Sequence, residues 1–368
     1  MNAPQRVGPA AKGQVVLVLQ GGGALGAYQA GVYEALSTTG VEPDWVIGTS
    51  IGAINAGIIA GNTRGNRLPR LREFWKRVEQ SSPFAAFSTF SCGIDSFFEP
   101  RPFSWAGTQA RVGLDRASYY STEPLRETLT SLIDVDVLNA QTPRLTVGAV
   151  HVRTSEMRYF DSRDEHLRLD HVMASGALPP AFPAIRIEGE PYWDGGLYSN
   201  TPLEAVLDDR PRRDSVIFAV NVWQPTGPEP ESIWQVMGRQ KDIQYASRSD
   251  SHIARQKQIH RLRHVIRELA KKLPQETQES DDCRELASWG CATTMHVVRL
   301  LAPTLDSEDF LKDLDFSPGG ISARWQAGIA DTLRMIERAP WEMEVDPMEG
   351  VIVHELSART GMEVKENA

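Results

Sequence analysis

Cysteine is scarce in this chain of 368 residues, which contains only Cys92, Cys283 and Cys291. Three scattered cysteines cannot form a disulfide framework, so we expect reduced thiols, as in a cytoplasmic protein. Cys283, Cys291 and His296 lie near one another in the sequence, but their spacing does not match the usual zinc-binding patterns. The sequence therefore predicts no metal site, and no motif in it calls for an organic cofactor.

Long hydrophobic runs are also missing. The longest early run, residues 15–19, has the length of a strand, whereas a membrane-spanning helix needs about 20 apolar residues. Residues 1–13 include Arg6 and Lys12 but have neither the apolar core nor the cleavage site of a secretory signal. We expect a disordered lead-in over residues 1–13 and a cytoplasmic location.

Positive charge is in short supply as well. Lysine and arginine number 39 against 48 aspartates and glutamates, which gives a formal net charge of −9. Non-specific binding to nucleic acid depends on neutralising phosphates, so nucleic acid is not an expected partner. A local basic face can still operate on an acidic protein, so peripheral membrane contact stays compatible with this composition.

The first motif is a glycine-rich loop. Residues 15–19 predict a buried strand that runs into Gly21-Gly22-Gly23-Ala24-Leu25-Gly26 and then into a helix-forming segment. A strand, a glycine loop and a helix in this order direct backbone N–H groups toward whatever lies above the loop. The same pattern, with Glu42 or Asp44 downstream, also fits a dinucleotide site, although the acid would precede its strand.

A second strand–turn–helix unit follows directly. Residues 44–47 predict a strand, Gly48-Thr49-Ser50-Ile51-Gly52 a sharp turn, and residues 53–60 an apolar helix. This setting of G-x-S-x-G is typical of a nucleophile elbow, which exposes the serine hydroxyl at a helix N-terminus. A serine–aspartate–histidine triad fits less well, because only one strand precedes the elbow and no later histidine has a loop signature.

The third motif contains Asp194, which ends a short aromatic strand and precedes Gly195 and Gly196. Two glycines let this loop approach another backbone closely, although an isolated Asp-Gly pair indicates only a turn. The glycine loop, G-T-S-I-G and D-G-G, in this order, resemble the patatin-like phospholipases over roughly residues 14–222. Joint occurrence of the three motifs is highly specific.

The resemblance implies a set of site residues. Members of that family use a serine–aspartate dyad, so Ser50 is expected to be the nucleophile and Asp194 the base, with oxyanion-hole N–H groups from Gly21, Gly22 and Gly23. The implied activity is that of a serine lipid acyl hydrolase cleaving phospholipids or related lipids through an acyl-enzyme. The expected fold is a three-layer α/β sandwich with a central, mostly parallel sheet, plus a C-terminal helical extension.

Other functions remain open at this point. Many family members have Arg or Lys where this chain has Leu25, so one contact to an anionic headgroup is missing. The same dyad would cleave any accessible ester, so depolymerisation of an intracellular polyester such as polyhydroxybutyrate is an alternative. A non-catalytic nucleotide- or lipid-binding module is a third, and it would bind its ligand even with Ser50 replaced.

The rest of the chain divides by composition. Residues 14–230 form the predicted catalytic domain, residues 231–340 the helical extension and residues 341–368 a weakly ordered tail. Residues 62–120 include an aromatic-rich segment that fits either a lid or acyl-chain pocket, or an irregular segment packed on the core. Its aromatic residues are Phe84, Phe87, Phe90, Phe97, Phe98, Phe103 and Trp105.

Within the extension, residues 252–273 predict an amphipathic helix. Its apolar face consists of Ile259, Leu262, Ile266, Leu269 and Leu273. Its remaining surface is basic and carries Arg255, Lys257, Arg261, Arg263, Arg267, Lys271 and Lys272. Such a helix fits either an anionic membrane surface or a charged face of a helix packed on the main domain. Residues 297–301 predict a late strand, and residues 321–338 a capped helix.

Overall fold

A computed structural model of the chain describes residues 8–80, 93–101, 111–305, 308, 310–346 and 348–355. Within these ranges the strands are β1 (Gln14–Leu19), β2 (Trp45–Gly48), β3 (Glu99–Pro100), β4 (Tyr120–Ser121), β5 (Arg144–His151), β6 (Met157–Asp161), β7 (Ile185–Ile187), β8 (Glu190–Asp194), β9 (Ser215–Asn221), β10 (Met295–Leu301) and β11 (Val351–Glu355). The α-helices are α1 (Ala27–Thr38), α2 (Ile51–Ala60), α3 (Arg64–Arg77), α4 (Glu123–Leu132), α5 (Val135–Asn139), α6 (Leu169–Ser175), α7 (Leu203–Leu207), α8 (Ile233–Lys271), α9 (Gln275–Gln278), α10 (Asp281–Ser288) and α11 (Pro318–Arg338).

One sheet of nine strands organises the described chain. Its order is β11-β10-β9-β1-β2-β5-β8-β7, with β6 also paired to β5. The strands from β11 to β5 run parallel, whereas β6, β7 and β8 pair antiparallel at one end. The predicted α/β fold with a mostly parallel central sheet is confirmed.

Helices cover both faces of this sheet, which is why β1 is apolar at every position from 15 to 19. Its odd-numbered residues enter a core shared with α1, α2, α3 and α11. Val16 and Val18 instead enter a second core, which includes Leu203 and Leu207 of α7 and Ile253 of α8. The sequence of a strand that is buried on both faces is apolar throughout, whereas a strand with one exposed face alternates apolar and polar residues. The three layers of the expected sandwich are therefore present.

The C-terminal helices are present as expected, and α11 packs directly on α1. A Cβ atom on Gly31 would collide with the carbonyl oxygen of Trp325, and one on Gly328 with that of Tyr28. Glycine at both positions lets the two helix backbones touch. The Tyr28 hydroxyl also donates a hydrogen bond to the Asp331 carboxylate over 2.8 Å. The extension is thus joined to the first helix of the chain, α1.

The sheet itself crosses the predicted boundary at residue 230. Strand β10 contains the predicted late strand and pairs with β9, and β11 pairs with β10 in turn. Residues 351–355, expected in a weakly ordered tail, therefore form a largely buried strand. Residues 9–12, expected in a disordered lead-in, form a short 3-10 turn, whereas residues 1–7 and 356–368 lie outside the described ranges.

The basic amphipathic helix lies in the C-terminal half of α8 with its apolar face outward. Leu262 and Leu269 are 62% and 59% exposed, whereas Gln256, His260 and His264 are buried. On its inner side this half of α8 packs through Ile253, which enters the second core, and through polar side chains that find partners there. His260, for example, pairs with the Leu207 carbonyl oxygen over 3.1 Å. Among the described helices, none has both the length and the apolar character needed to cross a bilayer.

Candidate active site

Ser50 occupies the turn between β2 and α2 with φ 56° and ψ −126°. This left-handed conformation costs an L-residue about 1–3 kcal/mol, so the surrounding structure must hold it. The Ser50 N–H donates to the Ser175 carbonyl oxygen over 3.0 Å. A Cβ atom on Gly48 would collide with the backbone of Gly52, and one on Gly52 with that of Leu19. Both glycines of G-x-S-x-G are therefore required by close backbone approach, and the strained serine faces the cavity described below.

Asp194 is the last residue of β8 and is 1% exposed. Its carboxylate accepts a hydrogen bond from the Gly196 N–H over 2.7 Å and one from the Ser50 hydroxyl. Burial raises the pKa of Asp194 from its ordinary 3.8 to about 7, although these two hydrogen bonds act in the opposite direction. The structure thus brings the predicted serine and aspartate into direct contact.

The glycine loop lies against this pair. A Cβ atom on Gly21 would come within 2.9 Å of the Ser50 Cβ, so the loop backbone passes directly beside the serine. The Gly21 N–H already donates to the Asn200 carbonyl oxygen over 3.1 Å. Within the described chain, the N–H groups of Gly22 and Gly23 have no acceptor, and neither does that of Ile51 at the start of α2. These three N–H groups are available to a ligand.

Two side chains hold the Gly21–Gly22 peptide in one orientation. The Gly21 carbonyl oxygen accepts hydrogen bonds from Trp223 Nε1 over 2.7 Å and from Asn200 Nδ2 over 3.0 Å. In a trans peptide the carbonyl and the following N–H point in opposite directions. Fixing the Gly21 carbonyl therefore also fixes the direction of the Gly22 N–H.

Ser50, Asp194 and the three loop glycines line one cavity of about 340 Å³. Beyond these residues its wall is mainly apolar and aromatic, with Asn200 and Asp313 among its few polar members. The principal side chains are Ile51, Ile54, Phe97, Phe98, Tyr120, Leu125, Phe182 and Phe316. Phe98 contacts Tyr120 and Phe182 with ring centroids 4.9 and 5.3 Å apart, within the range of favourable aromatic pairs. The cavity thus joins a polar end at Ser50 to a hydrocarbon-lined body.

The chain resembles known proteins in sequence. A family model described as patatin-like phospholipase matches residues 17–207, more than half of the chain. The chain belongs to the patatin-like phospholipase family. A second model, described as patatin phospholipase, matches residues 243–348, so the extension is also a recurring part of such proteins. Membership of this family supports a lipid hydrolase activity.

Individual relatives of this patatin-like protein are distant. Lysophospholipase NTE1 of Candida glabrata is 28% identical over 214 residues, which are 57% of this chain but 10% of that protein. Among solved structures, VipD from Legionella pneumophila is 16% identical with a TM-score of 0.40, and covers 92% of this chain and 72% of its own. The type III effector ExoU of Pseudomonas aeruginosa is 15% identical with a TM-score of 0.35, and the match covers 89% of this chain and 53% of ExoU.

Several cavity residues of this patatin-like protein were not predicted. Asn200 follows D-G-G in a stretch of small and polar residues, so its position next to that motif was a usable signal. Tyr245, Asp313 and Phe316 come from the extension, and no local pattern marks them. Burial raises the pKa of Tyr245 to about 12, with the negative charges of Asp194 and Asp313 adding to the effect.

In the described part of the chain, neither the dinucleotide site nor the serine–aspartate–histidine triad finds all of its residues at this cavity. Glu42 is paired with Arg67 over 2.6 Å, and the Asp44 carboxylate accepts the Val15 N–H over 2.8 Å. Neither acid is therefore placed to bind a ribose. The described residues that line the cavity include no histidine, so a histidine triad has no candidate among them.

Other predictions concern metals and the aromatic segment. Over the described ranges, no group of three or more His, Cys, Asp or Glu side chains could hold a metal ion. Cys283 and Cys291 are free thiols, and Cys92 lies outside the described residues. Phe97 and Phe98 line the cavity, as an acyl-chain pocket would require. The remaining aromatic residues of that segment lie outside the described ranges: Phe84, Phe87, Phe90, Phe103 and Trp105.

Proposed function

We propose that this protein is a serine lipid acyl hydrolase in which Ser50 is the nucleophile and Asp194 the base. The observation that carries the proposal is the hydrogen-bonded pair itself: a strained serine and a buried aspartate meet at the polar end of an apolar cavity. A hydroxyl held at a helix N-terminus beside a base is the arrangement that nucleophilic catalysis needs.

Burial gives Asp194 the basicity that the reaction requires. An aspartate of ordinary pKa, about 4, is a poor base for an alcohol. A base works best when its pKa lies near the operating pH, and the pKa of Asp194 is raised to about 7. In the proposed mechanism Ser50 Oγ attacks the ester carbonyl while Asp194 accepts the hydroxyl proton. The proton then passes to the departing alcohol, and Asp194 activates water to hydrolyse the acyl-enzyme.

The negative charge that develops on the carbonyl oxygen needs donors close to Ser50. The family resemblance implies Gly21, Gly22 and Gly23 for this role, and we assign it to the N–H groups of Gly22 and Gly23. Gly21 contributes indirectly, because its own N–H is already used by Asn200. One such donor typically lowers the barrier by about 3 kcal/mol, so two donors account for a large part of the expected rate.

The cavity wall favours a lipid acyl chain over a polyester as substrate. A polyester repeats an ester group every few atoms and would place carbonyl oxygens along the whole cavity. The wall around Phe97, Phe98 and Phe182 is mainly hydrocarbon, with the hydroxyls of Tyr119 and Tyr120 among its few polar groups. It therefore suits a hydrocarbon chain better than a row of ester oxygens. We therefore propose carboxylic esters of phospholipids or related lipids as the substrate class.

The decisive experiment is intact-mass analysis after treatment with a lipid-like fluorophosphonate. Wild-type protein should gain one adduct, because Ser50 displaces fluoride from phosphorus, and Ser50→Ala should gain none. Circular dichroism of both proteins controls for folding. An equal adduct on Ser50→Ala, or no adduct on folded wild type with or without lipid vesicles, would remove Ser50 from the mechanism. Release of fatty acid as opposed to hydroxyacid from the two ester classes then distinguishes lipid from polyester.

A further inference from the structure

The first two turns of α8 leave large apolar side chains in solvent. Ile233 is 79% exposed, Trp234 59%, Val236 50% and Met237 40%. We call these four residues the α8 entry patch. Single exposed apolar side chains are common on protein surfaces, but a cluster that includes tryptophan marks an interaction site.

The α8 entry patch lies beside the cavity. The ring of Trp234 stacks on that of Phe310 with centroids 4.2 Å apart, and Lys241 binds the Asp313 carboxylate over 2.6 Å. Asp313 and, farther along the same helix, Tyr245 both line the cavity. At 1.5 Å per residue, Tyr245 follows the end of the patch by about 12 Å. The patch and the cavity therefore lie at the same edge of the sheet.

Internal contacts hold this part of α8 in place. Ser232 caps the helix by accepting the Gln235 N–H over 3.2 Å. Arg239 donates to the carbonyl oxygens of Gln224 and Pro225 over 3.0 and 2.8 Å, in the segment that follows β9. The patch is thus presented by a capped and anchored helix, so binding through it does not require the helix to become ordered first.

The charges around the patch identify the kind of surface it fits. Among the described residues of this part of α8, Arg239 is paired with backbone carbonyls and Lys241 with Asp313, while Glu231 immediately precedes the helix. Over those residues the patch therefore adds apolar area without an uncommitted positive charge. Tryptophan prefers the boundary between lipid chains and water. These features fit a zwitterionic lipid surface better than an anionic one.

We propose that the α8 entry patch inserts into a zwitterionic lipid surface and so brings the neighbouring cavity to substrate in that surface. The inference rests on the proposed function to the extent that the surface supplies the substrate. It replaces the membrane role considered for the basic half of α8. His264 in that half pairs with the Thr293 carbonyl oxygen, just before β10 begins, so its exposed leucines lie at the edge of the sheet remote from Ser50.

Those leucines provide a matched control. Leu262 and Leu269 are 62% and 59% exposed, as much as Trp234, and they belong to the same helix. We would compare the full-length protein with Ile233→Gln/Trp234→Gln and with Leu262→Gln/Leu269→Gln. All three would be floated with phosphatidylcholine vesicles, and their hydrolysis of a monomeric short-chain ester would be measured in parallel.

The patch variant should lose vesicle binding by about tenfold or more, since two large apolar side chains no longer leave water. The control variant should bind like wild type, and both should keep wild-type turnover of the monomeric ester. Equal binding by all three proteins, or a loss confined to the control, would overturn the proposal. So would binding that appears only after phosphatidylserine is added, or loss of a wild-type dimer in the patch variant. Flotation of Ser50→Ala separates docking from catalysis, because docking needs no turnover.

Discussion

Replacing Asp194 with asparagine should abolish turnover and should stabilise the protein by an amount that grows as the pH rises. The two side chains have nearly the same shape, and the asparagine carbonyl can still accept the Gly196 N–H that Asp194 accepts over 2.7 Å. What changes is the charge. Asparagine cannot take the proton from Ser50, and it never places a negative charge in a site that is 1% exposed.

The size of the gain follows from the pKa of Asp194. Burial raises that pKa from 3.8 to about 7, so the folded protein keeps the neutral acid over a pH range where the unfolded chain has already lost the proton. The stability contributed by the neutral acid is complete below the unfolded pKa and is lost as pH rises through the folded pKa. The unfolding free energy of Asp194→Asn should exceed that of wild type by about 4 kcal/mol at high pH, and about 3 kcal/mol of this gain develops between about pH 5 and about pH 8.

Urea unfolding of wild type and Asp194→Asn at those two pH values measures this difference directly. Groups that titrate in both proteins cancel in the comparison, so the gain in unfolding free energy should be larger at the higher pH. Ser50→Ala is the control, because it also loses activity but keeps the buried carboxyl. Its unfolding free energy should therefore depend on pH as that of wild type does. Parallel curves for wild type and Asp194→Asn would refute the raised pKa, and with it our account of the base.

Two further predictions concern the rate. With a monomeric ester, kcat/KM should fall about tenfold per pH unit below about pH 7 as Asp194 becomes protonated; a flat profile down to about pH 5 would show that the base has an ordinary pKa. Trp223→Phe keeps an aromatic ring but removes the donor that binds the Gly21 carbonyl over 2.7 Å. It should lower kcat by about tenfold with little change in KM. The control is Trp45→Phe, which removes an indole donor to Thr146 instead and should leave kcat unchanged. Equal losses of kcat in both variants would indicate a general packing effect.

The parts of the site that were predictable from sequence are those that depend on local backbone geometry. The turn at Ser50 needs glycine at positions 48 and 52 because the chain passes too close to itself for a side chain. Such a requirement leaves a short pattern in the sequence. The buried strand at residues 15–19 was predictable for a similar reason, since burial on both faces removes every polar residue from it.

The unpredicted parts depend on contacts between residues far apart in the chain. Trp223 binds the Gly21 carbonyl although the two residues are 202 positions apart, and Phe316 contacts Phe97 in the cavity wall with ring centroids 5.9 Å apart. Neither contact imposes a local pattern. The direction of the apolar face of α8 was left open for a related reason: helical periodicity identifies an apolar stripe but not which side the rest of the fold covers.

The glycine loop shows why the extension cannot be treated as an accessory to a finished active site. Gly23 has a φ of 55°, and a Cβ atom there would collide with the carbonyl oxygen of Asp313. The loop that supplies the proposed oxyanion donors is therefore backed by a turn of the extension, and Lys241 holds that turn through the Asp313 carboxylate. The same extension contributes β10, which covers the otherwise open edge of β9. Both the support of the glycine loop and the continuation of the sheet beyond β9 therefore come from the extension, so its residues on the far side of position 230 are part of the same structure as the site.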